Sequence, residues 1–246
     1  MTRLILLALA WFSLARPSLA AETQVAVAAN FTEPAKAIAA RFKARTGHTA
    51  RLSFGSSGQF YTQIANGAPF EVFLSADAER PIRAEAEGLA VAGSRFTYAT
   101  GRLVLFSAQP RLVDERGAVL ARGAFHKLAI ADPRAAPYGV AAIETLKKLG
   151  LLQRLSPRIV QGASIAQTYQ FVEIGAAEVG FVALSQVMHG RGGSRWVVPS
   201  TYHTPIRQQA VLTRTGADRP AARAFIQFLK GPEAKAIIRR FGYEAG

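Results

Sequence analysis

The strongest constraint on the fold is an alternation. Short runs rich in aliphatic and β-branched residues feed directly into segments with helical spacing. "TQVAVAA" leads into "TEPAKAIAARFKARTG", "TARLSF" into a helix ending near Asn66, and "FEVFLSA" into "AERPIRAEAEG". Such alternation predicts α/β units on a parallel sheet, because each crossover helix returns the chain to the same end of the sheet. In the first helix Ala35, Ile38, Ala39 and Phe42 form one apolar stripe. Thr32 is placed as its N-cap, Pro34 sits in the first turn, and Gly47 stops it. Asp77 is placed to cap the third helix.

The alternation breaks at one point. In "RFTYATGRLVLFSA" two extended runs meet around Gly101 with no helix between them. A second series follows: "KLAIADP", "GVAAIETLKKLG", "RIVQGA", "SIAQTYQFVEIGAAE" and "VGFVALS". The extended "SRWVVPS" and "IRQQAVLTR" bracket Pro199 and Pro205, and two helices, "PAARAFIQFLKG" and "PEAKAIIRRFG", close the chain. The simplest architecture is two α/β lobes joined by two extended hinge crossings, near residues 101 and 202. Residues 21–101 and 202–246 then form the first lobe and residues 102–201 the second. A ligand is expected in the cleft between them.

Composition removes whole classes of function. With no cysteine, disulfide frameworks, thiolate metal sites and a cysteine nucleophile are excluded. His48, His126, His189 and His203 are far apart and lack paired ligand spacing, so no metal-ion ligands are expected. The formal charge is +14, but the basic residues are scattered over polar helix faces, Arg41, Lys43, Arg45, Arg239 and Arg240 among them. That distribution reads as solvated surface, not as a nucleic-acid interface. Residues 1–20 read as a signal peptide: Arg3, the apolar run "LILLALAWFSLA", and Ser18-Leu19-Ala20 as a small-x-small cleavage site. The run is too short to span a bilayer, which needs roughly 20 apolar residues.

The chemistry lies where strand ends meet helix starts. Asn30-Phe31-Thr32 and Gly55-Ser56-Ser57-Gly58 put short polar side chains beside free backbone amides. "PYGV" (137–140) and "GASIAQ" (162–167) do the same in the second half. Four such helix entrances can converge on one anion through unpaired N–H donors and helix dipoles. None carries Lys or Arg, and the Gly-Lys-Ser/Thr of a nucleotide-phosphate loop is absent. A small enclosed oxyanion that stays unprotonated fits such neutral donors. No Asp or Glu lies in the four loops, which disfavours phosphate, whose proton needs an acceptor. Ser57 at a strand-to-helix turn also admits a secreted serine hydrolase, but Gly-Ser-Ser-Gly departs from the Gly-x-Ser-x-Gly elbow and no base is placed beside it.

At these residues the chain resembles a known family. "VAVAANFTEPAKAIAARFKARTGH", "LSFGSSGQFYTQIANGAPFEVFLSADAERP", "EGLAVAGSRFTYATGRLVL" and "VGFVALSQV" are similar to the periplasmic molybdate-binding proteins of molybdate ABC importers. The resemblance runs from about residue 24 to the C-terminal "FLKGPEAKAIIRRFGY". It implies a two-lobed type II periplasmic-binding-protein fold, a monomer, and capture of molybdate or tungstate for a membrane permease, without cofactor or catalysis. It places the ligand on Ala29, Asn30, Ser57, Tyr138 and Ile165. Asn30 and Ser57 would contribute side chains; Ala29, Tyr138 and Ile165 would contribute backbone amides. Ala183 stands where some members carry a ligand-contacting tyrosine, and Glu71 where aspartate is commoner. A sulfate receptor of the same fold shares the dianionic charge and remains the alternative.

Overall fold

The computed structural model describes residues 20–190 and 192–246. The expected signal segment therefore lies outside the described residues, apart from Ala20 at its end. Strands β1 (Glu22–Ala28), β2 (Thr49–Gly55), β3 (Val72–Ser75) and β4 (Phe96–Gly101) come first. They are followed by β5 (Leu103–Ser107), β6 (Leu128–Ala131), β7 (Ile159–Gly162), β8 (Val179–Ala183) and β9 (Ser194–Val197). The chain then adds β10 (Ile206–Leu212) and β11 (Glu244–Ala245). One sheet has six strands in the order β11-β4-β10-β3-β1-β2, and the other has five, β7-β6-β8-β5-β9.

Neither sheet is purely parallel, which corrects the sequence expectation. β1 pairs parallel with β2 and β3, but β10 lies antiparallel between β3 and β4. β6 is parallel to β7 and β8, whereas β5 is antiparallel to β8 and β9. The cause is the crossing itself. The chain leaves the first sheet after Gly101, and its return strand runs against the strands already there.

Each sheet carries its own core. Val25, Val27, Ile38, Phe42, Leu74 and Phe225 are fully buried against the first sheet, with Phe42 edge-on to Phe225 at 5.2 Å. Leu103, Leu105, Leu128, Ile130 and Phe181 fill the second. Each such side chain contributes about 1.5–3 kcal/mol of burial. The helix Thr32–Thr46 buries Ala35, Ile38 and Phe42 as its spacing predicts, and ends at Gly47 in the left-handed region (φ 75°). Thr32 does not cap it. Residues 29–31 form a 3-10 turn, so the chain enters the helix already wound, and Thr32 Oγ1 instead donates to Ala29 O at 2.8 Å. Asp77 does act as a cap: its Oδ1 accepts from the Arg80 amide at 3.0 Å.

The two halves meet directly. The Gly58 amide donates to Ala135 O (2.9 Å), Arg80 Nη2 to Arg134 O (3.0 Å) and Ser185 Oγ to Asn30 O (2.8 Å). A Cβ on Gly58 would lie 3.0 Å from Ala135 Cα, so glycine permits that approach. Gly101, at the first crossing, is required for a different reason. A Cβ there would fall 2.1 Å from the Tyr138 hydroxyl and 2.7 Å from Gln208 Nε2.

Candidate functional site: an uncharged cradle between the sheets

Three helix starts face one small cavity, and each is prepared differently. The helix Ser57–Ala65 begins with a capping box: Ser56 Oγ accepts from the Gln59 amide (3.3 Å), and Gln59 Oε1 accepts from the Ser56 amide (3.2 Å). The helix Ile165–Glu173 uses a variant of it, in which the glutamine side chain reaches one residue further back. Ser164 Oγ accepts from the Gln167 amide (3.3 Å), and Gln167 Oε1 from the Ala163 amide (2.6 Å). These side chains serve the flanking amides and leave those of Ser57 and Ile165 open. The helix Pro137–Lys148 has no side-chain cap, and Pro137 in its first position supplies no N–H, so Tyr138 offers the first amide. First-turn amides have no acceptor in their own helix. Among the described residues, no loop carbonyl or side chain accepts from Ser57, Tyr138 or Ile165 N–H.

The cavity is lined by Ala29, Asn30, Ser57, Tyr138 and Ile165 together with neighbours that include Ser56 and Ala76. All five residues expected from the sequence are thus brought together, from both sheets, although they span residues 29 to 165. None of the lining residues carries a formal charge. Ser57 Oγ accepts from the Ala76 amide at 2.9 Å, so its proton is free to be donated. No histidine is among its hydrogen-bond partners. Ala183 is fully buried in the second core.

Behind the cavity lies a polar cluster that the sequence did not disclose. Asn30 Nδ2 donates to Gln208 Oε1 (2.9 Å) and to the Tyr243 hydroxyl (3.0 Å). The Tyr98 hydroxyl donates to Ser75 O (3.1 Å) and lies 3.0 Å from Gln208 Oε1, while Gln208 Nε2 reaches the Tyr138 hydroxyl at 3.4 Å. Asn30 O, Ser185 Oγ and Tyr243 Oη form a triangle with sides of 2.7 to 2.8 Å. Two hydroxyl protons serve its three contacts. Burial raises the phenol pKa values of Tyr98, Tyr138 and Tyr243 above the ordinary tyrosine range, so all three remain neutral.

The Tyr138 phenol belongs to this cluster, which leaves its backbone to face the cavity, the part of Tyr138 expected from the sequence. For Asn30 the expectation changes. Both side-chain N–H groups of Asn30 are already taken, while its Oδ1 is buried with no partner at all. A buried acceptor left unpaired costs about 1–3 kcal/mol. Glu71 Oε2 is also buried without a partner, and Glu71 Oε1 lies 3.7 Å from Arg219 Nε. Nothing in the structure explains the longer side chain there.

Residues 23–244 match the family model described as bacterial extracellular solute-binding protein. The chain belongs to that family. Over 230 residues this solute-binding protein is 59% identical to the molybdate-binding protein ModA of Rhodobacter capsulatus, covering 94% of this chain and 91% of that one. A molybdate-binding protein ModA of Azotobacter vinelandii is 57% identical over 227 residues, covering 91% and 90%. Among solved structures, the periplasmic molybdate-binding protein of Azotobacter vinelandii superposes with a TM-score of 0.87 at 45% identity, covering 90% of this chain and 98% of that one. The type II periplasmic-binding-protein architecture expected from the sequence is the fold observed.

Proposed function

We propose that this chain is the extracytoplasmic receptor of a molybdate importer, which binds the oxyanion in the cradle and delivers it to an ABC permease without chemical turnover. The observation that carries the reading is the convergence of free helix-start amides and the Ser57 hydroxyl on one cavity with no charged lining. Oriented neutral donors of this kind select a fully deprotonated oxyanion by where its oxygens lie. The names and high identity of the two relatives support molybdate as that oxyanion. Tungstate, with the same charge and shape, is a second ligand, and a periplasmic location follows from the reading.

Calorimetric titration of the purified protein with molybdate tests this: one ion per chain is expected, and no heat of binding would overturn it. In the same titration Ser57→Ala should weaken binding about tenfold to a hundredfold, since a hydrogen bond to a charged group contributes about 1.5–3 kcal/mol. Tyr138→Phe should change affinity by less than about threefold, because its phenol faces the polar cluster. Equal losses in the two variants would make the phenol a ligand.

The division into lobes, residues 21–101 with 202–246 and residues 102–201, supplies the motion that admits the ligand. Donors from both lobes surround an ion only when the lobes are closed, and the crossings near residues 101 and 202 are the hinges. Small-angle scattering should show a smaller radius of gyration with molybdate than without. An unchanged profile under saturating ligand would mean a preformed site.

A further inference from the structure

The unpartnered oxygen of Asn30 is the feature that the binding reading leaves unexplained. Asn30 lines the cavity, and the one polar atom of its side chain without a partner is an acceptor. An oxyanion cannot satisfy an acceptor. The arrangement is fixed from behind by Gln208, which is fully buried on β10 and presents Oε1 to both Asn30 Nδ2 and the Tyr98 hydroxyl.

The cluster admits a second register. If the amides of Asn30 and Gln208 turn over together, Gln208 Nε2 donates to Asn30 Oδ1 and to the Tyr98 hydroxyl, which still donates to Ser75 O. Gln208 Oε1 then accepts from the Tyr138 hydroxyl, and the Tyr243 hydroxyl donates to Asn30 Oδ1 while Ser185 Oγ keeps Asn30 O. Each contact of Gln208 survives with its donor and acceptor exchanged, and in the triangle at Asn30 O the Tyr243 proton is given up to Oδ1, which leaves Ser185 Oγ as the one donor there. The group left unpartnered at Asn30 is now an N–H donor, which is what an oxyanion requires. Turning one amide alone would set two oxygens or two amino groups against each other, so the two are coupled.

We propose that Gln208 is the positioning residue of the site: it turns over with Asn30 when ligand enters, and so sets which end of the Asn30 amide faces the oxyanion. The proposal rests on the molybdate reading and assigns a role to a residue that lies outside the cavity lining.

Gln208→Glu tests it. An ionised carboxylate only accepts, so it holds Asn30 in the register with Oδ1 unpartnered, whereas a protonated one can donate to Asn30 Oδ1. Molybdate affinity of this variant should fall at least about a hundredfold at pH 8 and recover by tenfold or more toward pH 5, with the wild type titrated in parallel as reference. The titratable groups around position 208 are the Tyr98, Tyr138 and Tyr243 phenols, which stay neutral over this range, and Asp77, which is paired with Arg80. Because a buried charge by itself also destabilises the fold at pH 8, affinity is read at each pH on protein shown by circular dichroism to be fully folded. Affinity within twofold of wild type at both pH values would overturn the proposal.

Should the Glu variant fail to fold, Gln208→Met, alone and combined with Asn30→Ala, decides the matter. Gln208→Met should cost about tenfold in the wild-type background and less than twofold once Asn30 is alanine. Equal losses in both backgrounds would show that Gln208 does not act through Asn30. If the wild type itself binds no molybdate, the functional reading fails and not this inference.

Discussion

Sulfate is expected to bind at least about a hundredfold more weakly than molybdate. Both ions are dianions, so charge cannot separate them, and no cation in the cavity lining can follow a smaller ligand. The donors are amides fixed at the starts of the helices Ser57–Ala65, Pro137–Lys148 and Ile165–Glu173. They are carried by two sheets whose approach is set by the Gly58–Ala135 contact. A smaller tetrahedron cannot place its oxygens against both walls together. Missing two charge-assisted bonds at about 1.5–3 kcal/mol each gives the stated ratio or more. Tungstate, matched to molybdate in size, should bind within a few-fold of it. Competition titrations with the three ions check this, and comparable sulfate and molybdate affinities would turn the reading toward a sulfate receptor.

The second large effect is expected from Ile165→Pro. Ile165 opens its helix, and proline is well tolerated at a first helical position. Ser164 before it is already extended (φ −147°, ψ 166°), the conformation that a following proline requires. Pro137 holds the same position in the neighbouring helix start of the cradle. The substitution therefore deletes one N–H donor with little disturbance of the backbone, and molybdate affinity should fall about tenfold to a hundredfold. Ile165→Ala is the control, because it removes the buried side chain and keeps the amide. If the two variants bind alike, the Ile165 amide is not a donor.

What the sequence disclosed and what it withheld divide along chain distance. Helix entrances are local: Ser56-Ser57-Gly58 and Ala163-Ser164-Ile165 carry their own turn and cap, so a few adjacent residues were enough to mark them. The Ser-x-x-Gln spacing at 56–59 and at 164–167 is itself a capping-box signature in the sequence. The polar cluster left no such trace. Ser185, Gln208 and Tyr243 lie 155, 178 and 213 residues from Asn30, and no local pattern links them. Strand direction was hidden for a related reason: "IRQQAVLTR" reads as a strand, but its antiparallel insertion between β3 and β4 is decided by the return from the second sheet. Thr32 failed as a cap because the 3-10 turn at residues 29–31 winds the chain before the helix begins.

The position of β10 sets an order of assembly. A chain emerging N-terminus first exposes β1, β2, β3 and β4 before the strand that must join β3 to β4 exists, since that strand is Ile206–Leu212. The second sheet needs only residues 103 to 197, so it can be completed while the first is still open. Tyr243 and β11 arrive last, closing both the edge of the first sheet and the cluster behind Asn30. The polar cluster behind the cavity is thus completed only at the end of synthesis. A nascent chain that ends after β9 would hold one finished sheet, one unfinished sheet and an incomplete cluster behind Asn30.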